Sequence, residues 1–257
     1  MKIATWNVNS VKMRVPRILE FLALHRPDVL LLQETKSTDD AFPHLALAEG
    51  GYTAVTHGVG AWAGVAIVVP EGTAVQDVER GLPDAPLPTE ARWIEGTVGD
   101  LRVASVYVIN GRTLDDPMYE AKLGFLDAMA ARVEALAGQP LIVAGDFNIA
   151  PEDLDVYAPE AFVASTHVSP EERERLAAIQ ARGGLVDAYR HCEPERVQFT
   201  WWDYRAGHFH KGLGLRIDLA LVSHGIASRI ASCGIDRDFR KGPKPSDHAP
   251  LILELAD

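Results

Sequence analysis

Short apolar runs separated by polar turns dominate the hydrophobic pattern of this 257-residue chain. Several runs carry Ile, Val or Leu at consecutive positions, which is typical of strands covered on both faces. The pattern therefore predicts strands over Lys2–Trp6, Asp28–Gln33, Tyr52–Thr56, Val65–Val69, Trp93–Val98, Arg102–Val108, Leu141–Ala144, Arg216–Val222, Ala231–Ile235 and Ala249–Leu255.

Longer amphipathic segments are fewer. Pro117–Ala137 follows Asp116, repeats apolar residues at three-to-four spacing and stops before a glycine, so the pattern predicts a helix. Pro16–Leu24 and Pro170–Ala181 also predict helices, each with a proline at its start. Many strands with few helices indicate two packed sheets with helices outside them. Because no long linker or repeat interrupts the pattern, we interpret residues 1–257 as a single domain.

Polar side chains with metal-binding or acid–base chemistry follow several of the predicted strands. A sheet commonly presents functional groups from loops at one edge, because the strands hold those loops rigidly. If these strand ends coincide, carboxylates and amides converge at one place. The residues concerned are Asn7, Glu34, Asp146, Asn148, Asp218 and Asp247.

Such a cluster of carboxylates needs positive charge, since like charges raise one another's pKa. Mg²⁺ offsets that repulsion, because it typically takes one or two carboxylates together with water or phosphate oxygens. His248 adds an imidazole beside Asp247 that can act as acid, base or charge stabiliser. Metal, acid–base groups and amide donors together favour phosphodiester hydrolysis. The alternative for each residue on its own is a turn residue that makes local hydrogen bonds.

Charge and composition narrow the range of partners. The chain has 25 Lys+Arg against 36 Asp+Glu, a net charge of −11, which argues against a uniformly basic nucleic-acid coat but allows a local basic strip. No apolar run reaches the ~18 residues of a membrane span, and the first residues resemble a strand instead of a signal peptide. Cys192 and Cys233 lack metal-ligand spacing. We therefore expect a soluble, cytoplasmic, monomeric protein without membrane association.

A collinear series of motifs runs from near one terminus to near the other. These are TWNVNS from Thr5, LLQETK from Leu31, GVAIVV from Gly64, VYVINGR from Val106, GDFNIAPEDLD from Gly145, PEERE from Pro170, GLVDAYR from Gly184, FTWWDYR from Phe199, GLRIDLALVS from Gly214 and KPSDHAPL from Lys244. In sequence and order they resemble the exonuclease III/AP endonuclease branch of the endonuclease/exonuclease/phosphatase superfamily. The resemblance implies an α/β fold, a DNase I-like four-layered sandwich of two packed mixed sheets with helices outside. It also implies one catalytic domain.

The resemblance further implies roles for the residues at the strand ends. Glu34 is similar to the family's principal metal ligand, with Asn7 and Asp247 assisting. The implied cofactor is Mg²⁺, with Mn²⁺ as a substitute, and the number of ions is left open. Asp146 would orient and deprotonate the attacking water, and Asn148 would hold the transition-state phosphate or orient Asp146. Both also belong to the implied set of metal contacts.

Three other residues would act on the phosphate and the leaving group, again by resemblance. His248, steered by a carboxylate such as Asp187 or Asp247, would hydrogen-bond the scissile phosphate. Asp218 would assist the leaving group or the water. Tyr107 would contact the phosphate or help the leaving oxygen.

The implied substrate is double-stranded DNA with abasic sites or blocked 3′ ends. The enzyme would cut 5′ to abasic sites, clean 3′ ends and digest from 3′ ends. Trp201, Leu215 and Ile217 would form an apolar pocket for a flipped-out abasic sugar, although tandem tryptophans before a strand are also typical of a core. Since neighbouring strand residues face opposite ways, we expect one tryptophan at the pocket and one buried. Candidate phosphate contacts are Arg112, Arg205, Lys211, Arg216, Arg240, Lys241 and Lys244.

Two other functions compete with this interpretation. A phosphodiesterase or phosphatase acting on a lipid headgroup or an inositol phosphate shares the Glu34, GDFN and SDH parts of the pattern. Trp201-Trp202, Arg205 and Arg216-Ile217-Asp218 instead match the DNA-repair branch. The third hypothesis is a catalytically inactive DNA-binding module, and the presence of every expected catalytic residue argues against it.

Glu34→Ala should remove most of the turnover while leaving the fold intact, because the change deletes the main carboxylate ligand of the ion. Cleavage of DNA by wild type and variant across a Mg²⁺ titration measures the effect. If the variant reaches wild-type activity at low Mg²⁺, Glu34 is not the principal ligand.

Overall fold

A computed structural model describes residues 1–256, which form twelve strands and seven α-helices. The strands are β1 (Lys2–Asn7), β2 (Val29–Gln33), β3 (Tyr52–His57), β4 (Val65–Pro70), β5 (Gln76–Arg80), β6 (Trp93–Val98), β7 (Leu101–Tyr107), β8 (Leu141–Asp146), β9 (Leu185–Asp187), β10 (Asp218–Ser223), β11 (Ile230–Ile235) and β12 (Leu251–Leu255). The helices are α1 (Val11–His25), α2 (His44–Glu49), α3 (Pro117–Ala135), α4 (Pro170–Gly183), α5 (Ala188–Cys192), α6 (His208–Lys211) and α7 (His224–Ala227). In this part of the chain no helix combines the length and apolar character needed to cross a membrane.

The strands form two mixed sheets of six strands each. The first sheet has the order β11-β12-β1-β2-β4-β3, and the second has the order β5-β6-β7-β8-β10-β9. The pairs β1-β2 and β7-β8 are parallel, and the other neighbours are antiparallel. Each sheet thus has one parallel pair near its middle, and the carboxyl ends of β1, β2, β7 and β8, with the residues that directly follow them, carry many of the candidate site residues.

Apolar side chains fill three layers, one between the sheets and one outside each sheet. Leu31 and Val103 face inward between the sheets, whereas Leu30 faces outward and packs with Phe21 of α1. Outside the second sheet, Leu126 of α3 packs in a cluster that also includes residues of α4. This alternation follows from the period of two along a strand. The predicted four-layered α/β sandwich is therefore confirmed.

The predicted secondary structure omits β5, β9 and the four short helices α2, α5, α6 and α7, and it starts α1 too late. Helix α1 begins before Pro16, because buried Val11 extends its apolar side and the backbone is anchored from outside the helix. The N–H groups of Ser10 and Val11 donate to the carbonyl oxygens of Glu34 (2.7 Å) and Thr35 (3.0 Å). Strand β5 was absent from the prediction because it is a largely exposed edge strand with charged residues, which carries no apolar alternation.

A buried ion pair joins α3 to α4 on the outside of the second sheet. The Lys122 ammonium and the Glu172 carboxylate hydrogen-bond to each other, and both side chains are 0% exposed. Lys122 Nζ also donates to the carbonyl oxygen of Asn148 at 2.7 Å, and Glu172 accepts from Thr166 Oγ1 at 2.8 Å. The pair therefore connects helix packing to the loop that follows β8.

Lys122→Met should destabilise the protein by about 3–5 kcal/mol, because it leaves the Glu172 carboxylate buried without its counter-charge. Urea unfolding at neutral pH measures the loss. The double variant Lys122→Met/Glu172→Gln should lose less free energy of unfolding than Lys122→Met and Glu172→Gln lose together. Arg175→Met is the matched control, since it breaks an exposed α3–α4 pair with Asp127 and should cost at most about 1 kcal/mol. Equal losses for Lys122→Met and Arg175→Met would contradict this account.

Candidate active site

Strand register places chemically active side chains side by side at one edge of the two sheets. Tyr107 on β7 pairs with Asp146 on β8, and Asp146 pairs with Asp218 on β10. In the first sheet, Asn7 ends β1 and Glu34 follows the parallel neighbour β2. Contacts between Asn7 and Asp146 then join the two sheets at this edge.

The Glu34 carboxylate lies between an amide and an ammonium group. Asn7 Nδ2 donates to Glu34 Oε1 at 2.8 Å and to Asp146 Oδ2 at 2.9 Å, so one amide bridges the two carboxylates. Lys36 Nζ lies 2.8 Å from Glu34 Oε2 and donates to Asn9 Oδ1 at 2.6 Å. Glu34 and Lys36 both have positive φ, 49° and 48°, which is unusual for residues with a side chain. The turn after β2 thus holds Glu34 in an uncommon backbone conformation.

His248 is held by Asp218. The Nδ1 atom of His248 lies 2.8 Å from Asp218 Oδ2, and its Nε2 atom lies 3.7 Å from Asp146 Oδ2. Burial lowers the pKa of His248, but Asp218 and Asp146 outweigh burial and raise this pKa to about 10. The predicted steering of His248 by Asp187 or Asp247 is therefore wrong, because the register of β10 brings Asp218 to the imidazole. Asp218 is 0% exposed, and the side chain that its carboxylate contacts in the site is His248.

Glu34, Asp146 and His248 each offer one ligand atom, and these atoms lie within 4.8 Å of one another. Burial raises the pKa of Asp146, and although His248 lowers it, Asp218 and Glu34 raise it further. This concentration of negative charge and oxygen donors fits a hard divalent cation, which would relieve the repulsion.

Two of the predicted metal contacts occupy other positions. The Asp247 carboxylate lies outside the cluster, where it accepts from Asn9 Nδ2 at 2.9 Å and from Trp201 Nε1 at 3.1 Å. The side-chain oxygen of Asn7 accepts from the backbone N–H of Asn9 at 3.0 Å, so Asn7 presents its NH₂ group to the carboxylates. Both residues therefore position their neighbours instead of pointing oxygens into the cluster.

Asn148 and Tyr107 complete the edge of the site. Asn148 has φ of 51°, its backbone N–H donates to Asp146 Oδ1 at 2.9 Å, and its side-chain oxygen accepts from Asn110 Nδ2 at 3.2 Å. It thus orients Asp146. Burial raises the pKa of Tyr107 well above its usual value, and the negative charges of Glu34 and Asp146 raise it further. The Tyr107 hydroxyl therefore keeps its proton at neutral pH.

A cavity of about 330 Å³ opens beside these residues. Trp201 and Leu215 line it, whereas Trp202 is buried with 1% exposure, which is the division of the tandem tryptophans that alternation predicts. Ile217 does not line the cavity directly and instead packs behind it, in the same buried cluster as Leu215 and Trp201. The other lining residues are Arg112, Thr113, Tyr157, Phe162, Ala164, Ser165, Thr166, His167, Asp203 and His208.

Arg216 is not a surface residue. It is 0% exposed, and its guanidinium contacts Asp155 (Nε to Oδ1, 2.7 Å) and Asp187 (Nη1 to Oδ2, 2.7 Å). The predicted phosphate contact by Arg216 is therefore wrong, because two carboxylates already neutralise it away from solvent. By contrast, the side chains of Arg112 and Arg205 are 68% and 88% exposed.

Several residues of the site had no individual signal in the sequence. Lys36 contacts Glu34, and Asn9 contacts Asp247. Both lie in the motifs LLQETK and TWNVNS, but the resemblance assigns functions there only to Glu34 and Asn7. His167 Nδ1 lies 2.6 Å from the carbonyl oxygen of Asn148, and burial lowers the pKa of His167 to about 4, so it is neutral. It follows no predicted strand, which is why the pattern of strand ends missed it.

Comparison with known proteins identifies relatives along the whole chain. The sequence profile of the endonuclease/exonuclease/phosphatase family matches residues 4–248. Exodeoxyribonuclease III of Haemophilus influenzae is 32% identical over 99% of this chain and 100% of its own length. The solved structure of the 3′ phosphatase NExo from Neisseria, bound to a product DNA hairpin, has a TM-score of 0.96 at 39% identity, covering 100% of both chains. An AP endonuclease from Archaeoglobus fulgidus has a TM-score of 0.95 at 32% identity, covering 99% of both chains.

Arg216→Ala should lower the free energy of unfolding by about 3–5 kcal/mol, because Asp155 and Asp187 lose their buried counter-charge. It should leave the salt dependence of DNA binding unchanged. Arg112→Ala, which removes an exposed arginine at the cavity mouth, should leave unfolding nearly unchanged and reduce the slope of log affinity against log salt by about 1. Denaturant unfolding and binding isotherms at several salt concentrations measure both quantities. A reduced slope without loss of stability in Arg216→Ala would restore its role as a DNA contact.

Proposed function

The chain belongs to the exonuclease III/AP endonuclease branch of the endonuclease/exonuclease/phosphatase family, and we propose that it is a Mg²⁺-dependent enzyme that cuts DNA 5′ to abasic sites and cleans 3′ ends. The family places it among the DNA repair nucleases that hydrolyse phosphodiester bonds. The single observation that carries the finer proposal is the convergence of Glu34, Asp146 and the Asp218-held His248.

Glu34 and Asp146 would hold the metal ion, since their carboxylate oxygens provide the hard ligands that Mg²⁺ prefers. When bound, Mg²⁺ supplies positive charge that stabilises the charge developing on the phosphate oxygens. Asn7 keeps the two carboxylates together by donating to both of them. Lys36 offsets part of the charge on Glu34 from the other side.

Asp146 is the candidate general base. Its oxygen accepts the proton of the attacking water as the water oxygen bonds to phosphorus and the bond from phosphorus to the 3′ oxygen breaks. The backbone N–H of Asn148 fixes the second oxygen of Asp146 and so orients the first. A base held in this way loses little entropy when the reaction begins.

His248 is the candidate phosphate ligand of the protein. Asp218 takes Nδ1, which leaves Nε2 directed toward the Asp146 side of the site, where a phosphate oxygen can accept from it. The raised pKa keeps the imidazole positively charged at neutral pH, which suits stabilisation of developing negative charge. Tyr107 retains its hydroxyl proton and can donate it to the phosphate or to the leaving oxygen.

The Trp201 cavity is the candidate sugar pocket. An abasic deoxyribose has no base to stack inside the duplex, so flipping it out costs less than flipping an intact nucleotide. Trp201 and Leu215 supply an apolar wall next to the candidate catalytic groups. The hydrogen bond from Trp201 Nε1 to the Asp247 carboxylate fixes the indole ring. The relatives favour DNA over a lipid headgroup or inositol phosphate as the substrate class, since they include an exodeoxyribonuclease, a DNA-bound 3′ phosphatase and an AP endonuclease.

Two matched duplexes test the proposal, one with a single internal abasic site and one with a nick that carries a 3′-phosphate. We expect Mg²⁺-dependent, chelator-sensitive cleavage of both by wild type. Asp146→Asn should lower single-turnover rates on both by about 10²–10⁴, while a binding titration stays near wild type. Trp201→Ala should lose activity selectively on the abasic duplex.

Three results would contradict parts of this proposal. Cleavage that persists in chelator would remove the metal requirement. Removal of the 3′-phosphate without any incision at the abasic site would restrict the enzyme to 3′ ends. Equal losses by Trp201→Ala on both duplexes, together with a lower Tm, would make Trp201 a core residue.

A further inference from the structure

A second cavity of about 320 Å³ lies next to the Trp201 cavity. The two cavities share Asp203 and His208 in their walls, so they are neighbours on the same face. Pro245, in the segment that leads to His248, also lines the second cavity. We call this cavity the Arg240 pocket; its remaining lining residues are Tyr204, Gly207, Phe209, His210, Lys241 and Gly242, together with Arg240 itself.

Arg240 is buried and largely unpartnered. It is 6% exposed, and one hydrogen bond, from Nη2 to the carbonyl oxygen of Trp202 at 3.3 Å, holds its guanidinium. Its Nε atom is buried without an acceptor among residues 1–256, and within that range Arg240 forms no ion pair. A guanidinium has five N–H donors, so most of its hydrogen-bonding capacity is unused. A buried charge in this state is costly unless an anion accompanies it.

Aromatic rings hold Arg240 in place without neutralising it. Its Cζ atom lies 4.9 Å from the ring centroid of Phe209, 5.3 Å from that of Tyr204 and 6.0 Å from that of Trp202. Such cation–π contacts use the face of the guanidinium and leave its N–H edge available. This contrasts with Arg216, whose guanidinium edge is already taken by two carboxylates.

The surroundings of Arg240 are positive, although the chain as a whole carries a net charge of −11. The side chain of Lys241 on the pocket wall is 63% exposed and forms an exposed ion pair with Asp238. The Cζ atom of Arg237 lies 4.6 Å from the ring centroid of Phe209. Asp203 is the one carboxylate residue that lines the pocket in the described part of the chain, and Arg205 binds it at 2.7 Å. The local charge therefore complements an anion.

We propose that the Arg240 pocket binds a backbone phosphate of the DNA substrate, adjacent to the nucleotide held at the Trp201 cavity. The inference rests on the proposed DNA nuclease function and adds a defined phosphate site to it. A planar guanidinium edge matches two phosphate oxygens, and Lys241 supplies a second charge at the rim. Shared walls with the Trp201 cavity place this phosphate close to the scissile one. Inorganic phosphate has the same chemistry, so the test separates the two sources.

The test uses a set of duplexes in which one phosphate at a time, on either side of an abasic site, is replaced by a neutral methylphosphonate. Binding is measured for the full-length protein with Asp146→Asn alone and with Asp146→Asn/Arg240→Met. We expect one methylphosphonate position to weaken binding to Asp146→Asn by about 10-fold. The same replacement should have little further effect once Arg240 is changed, which is the signature of a direct contact in a double-mutant cycle.

Matched variants separate this effect from folding and from general charge. Arg182→Met removes a charge from the distant end of α4, where Arg182 is 54% exposed. Any loss of DNA affinity that this variant causes should be the same for every methylphosphonate position. If Arg240→Met fails to fold, Arg240→Lys replaces it, because Lys keeps the charge and loses the planar edge. Lys241→Met, at the rim, should show weaker coupling to the same phosphate.

Three outcomes would overturn the proposal. Binding in which no methylphosphonate position couples to Arg240 would show that the pocket does not contact the DNA backbone. Calorimetric titration with inorganic phosphate that depends on Arg240, without such coupling, would assign the pocket to a free anion. The absence of any DNA binding by Asp146→Asn would instead contradict the proposed nuclease function, so the two failures are distinguishable.

Discussion

Three carboxylates, Glu34, Asp146 and Asp218, lie close together at the edge of two packed sheets, and their mutual repulsion is the constraint on which the site depends. Burial makes this repulsion strong, because little solvent is present to screen it. His248 offsets it from one side and Lys36 from the other. Since these groups come from strand ends and loops of both sheets, the charge balance exists only when the sheets are packed. A cation bound at Glu34 and Asp146 would neutralise the remaining negative charge, and the same cation would stabilise negative charge that develops on a phosphate.

The sequence pattern predicted most of the scaffold because the strands are buried on both faces. Strand β2, VLLLQ, is completely buried, and a short run of consecutive apolar residues of this kind is typical of a strand covered on both faces. Strand β5 carries mainly polar and charged residues. It is a strand because it pairs with β6, and its own composition does not indicate this. The start of α1 was misplaced for a similar reason, since its first N–H groups are satisfied by the turn after β2.

The site was predictable as a set of residues but not as a set of contacts. Motifs identified Glu34, Asp146 and His248, which the structure brings within 4.8 Å of one another. The partner of His248 could not be deduced, because Asp218 reaches it through cross-strand register, which a single sequence does not display. Arg216 shows the same limit, since a positive charge in the sequence does not reveal whether its partner is a phosphate or a buried carboxylate.

Two backbone hydrogen bonds anchor the start of α1 to the turn after β2, which carries the Glu34 carboxylate. The N–H groups of Ser10 and Val11 donate to the carbonyl oxygens of Glu34 and Thr35, in the turn where Glu34 has a positive φ. A transient fraying of the first turn of α1 would release those bonds and let the turn relax to an ordinary backbone conformation. Such a local opening would disturb the site while the sandwich stays folded, and amide exchange at Ser10 and Val11 would report it.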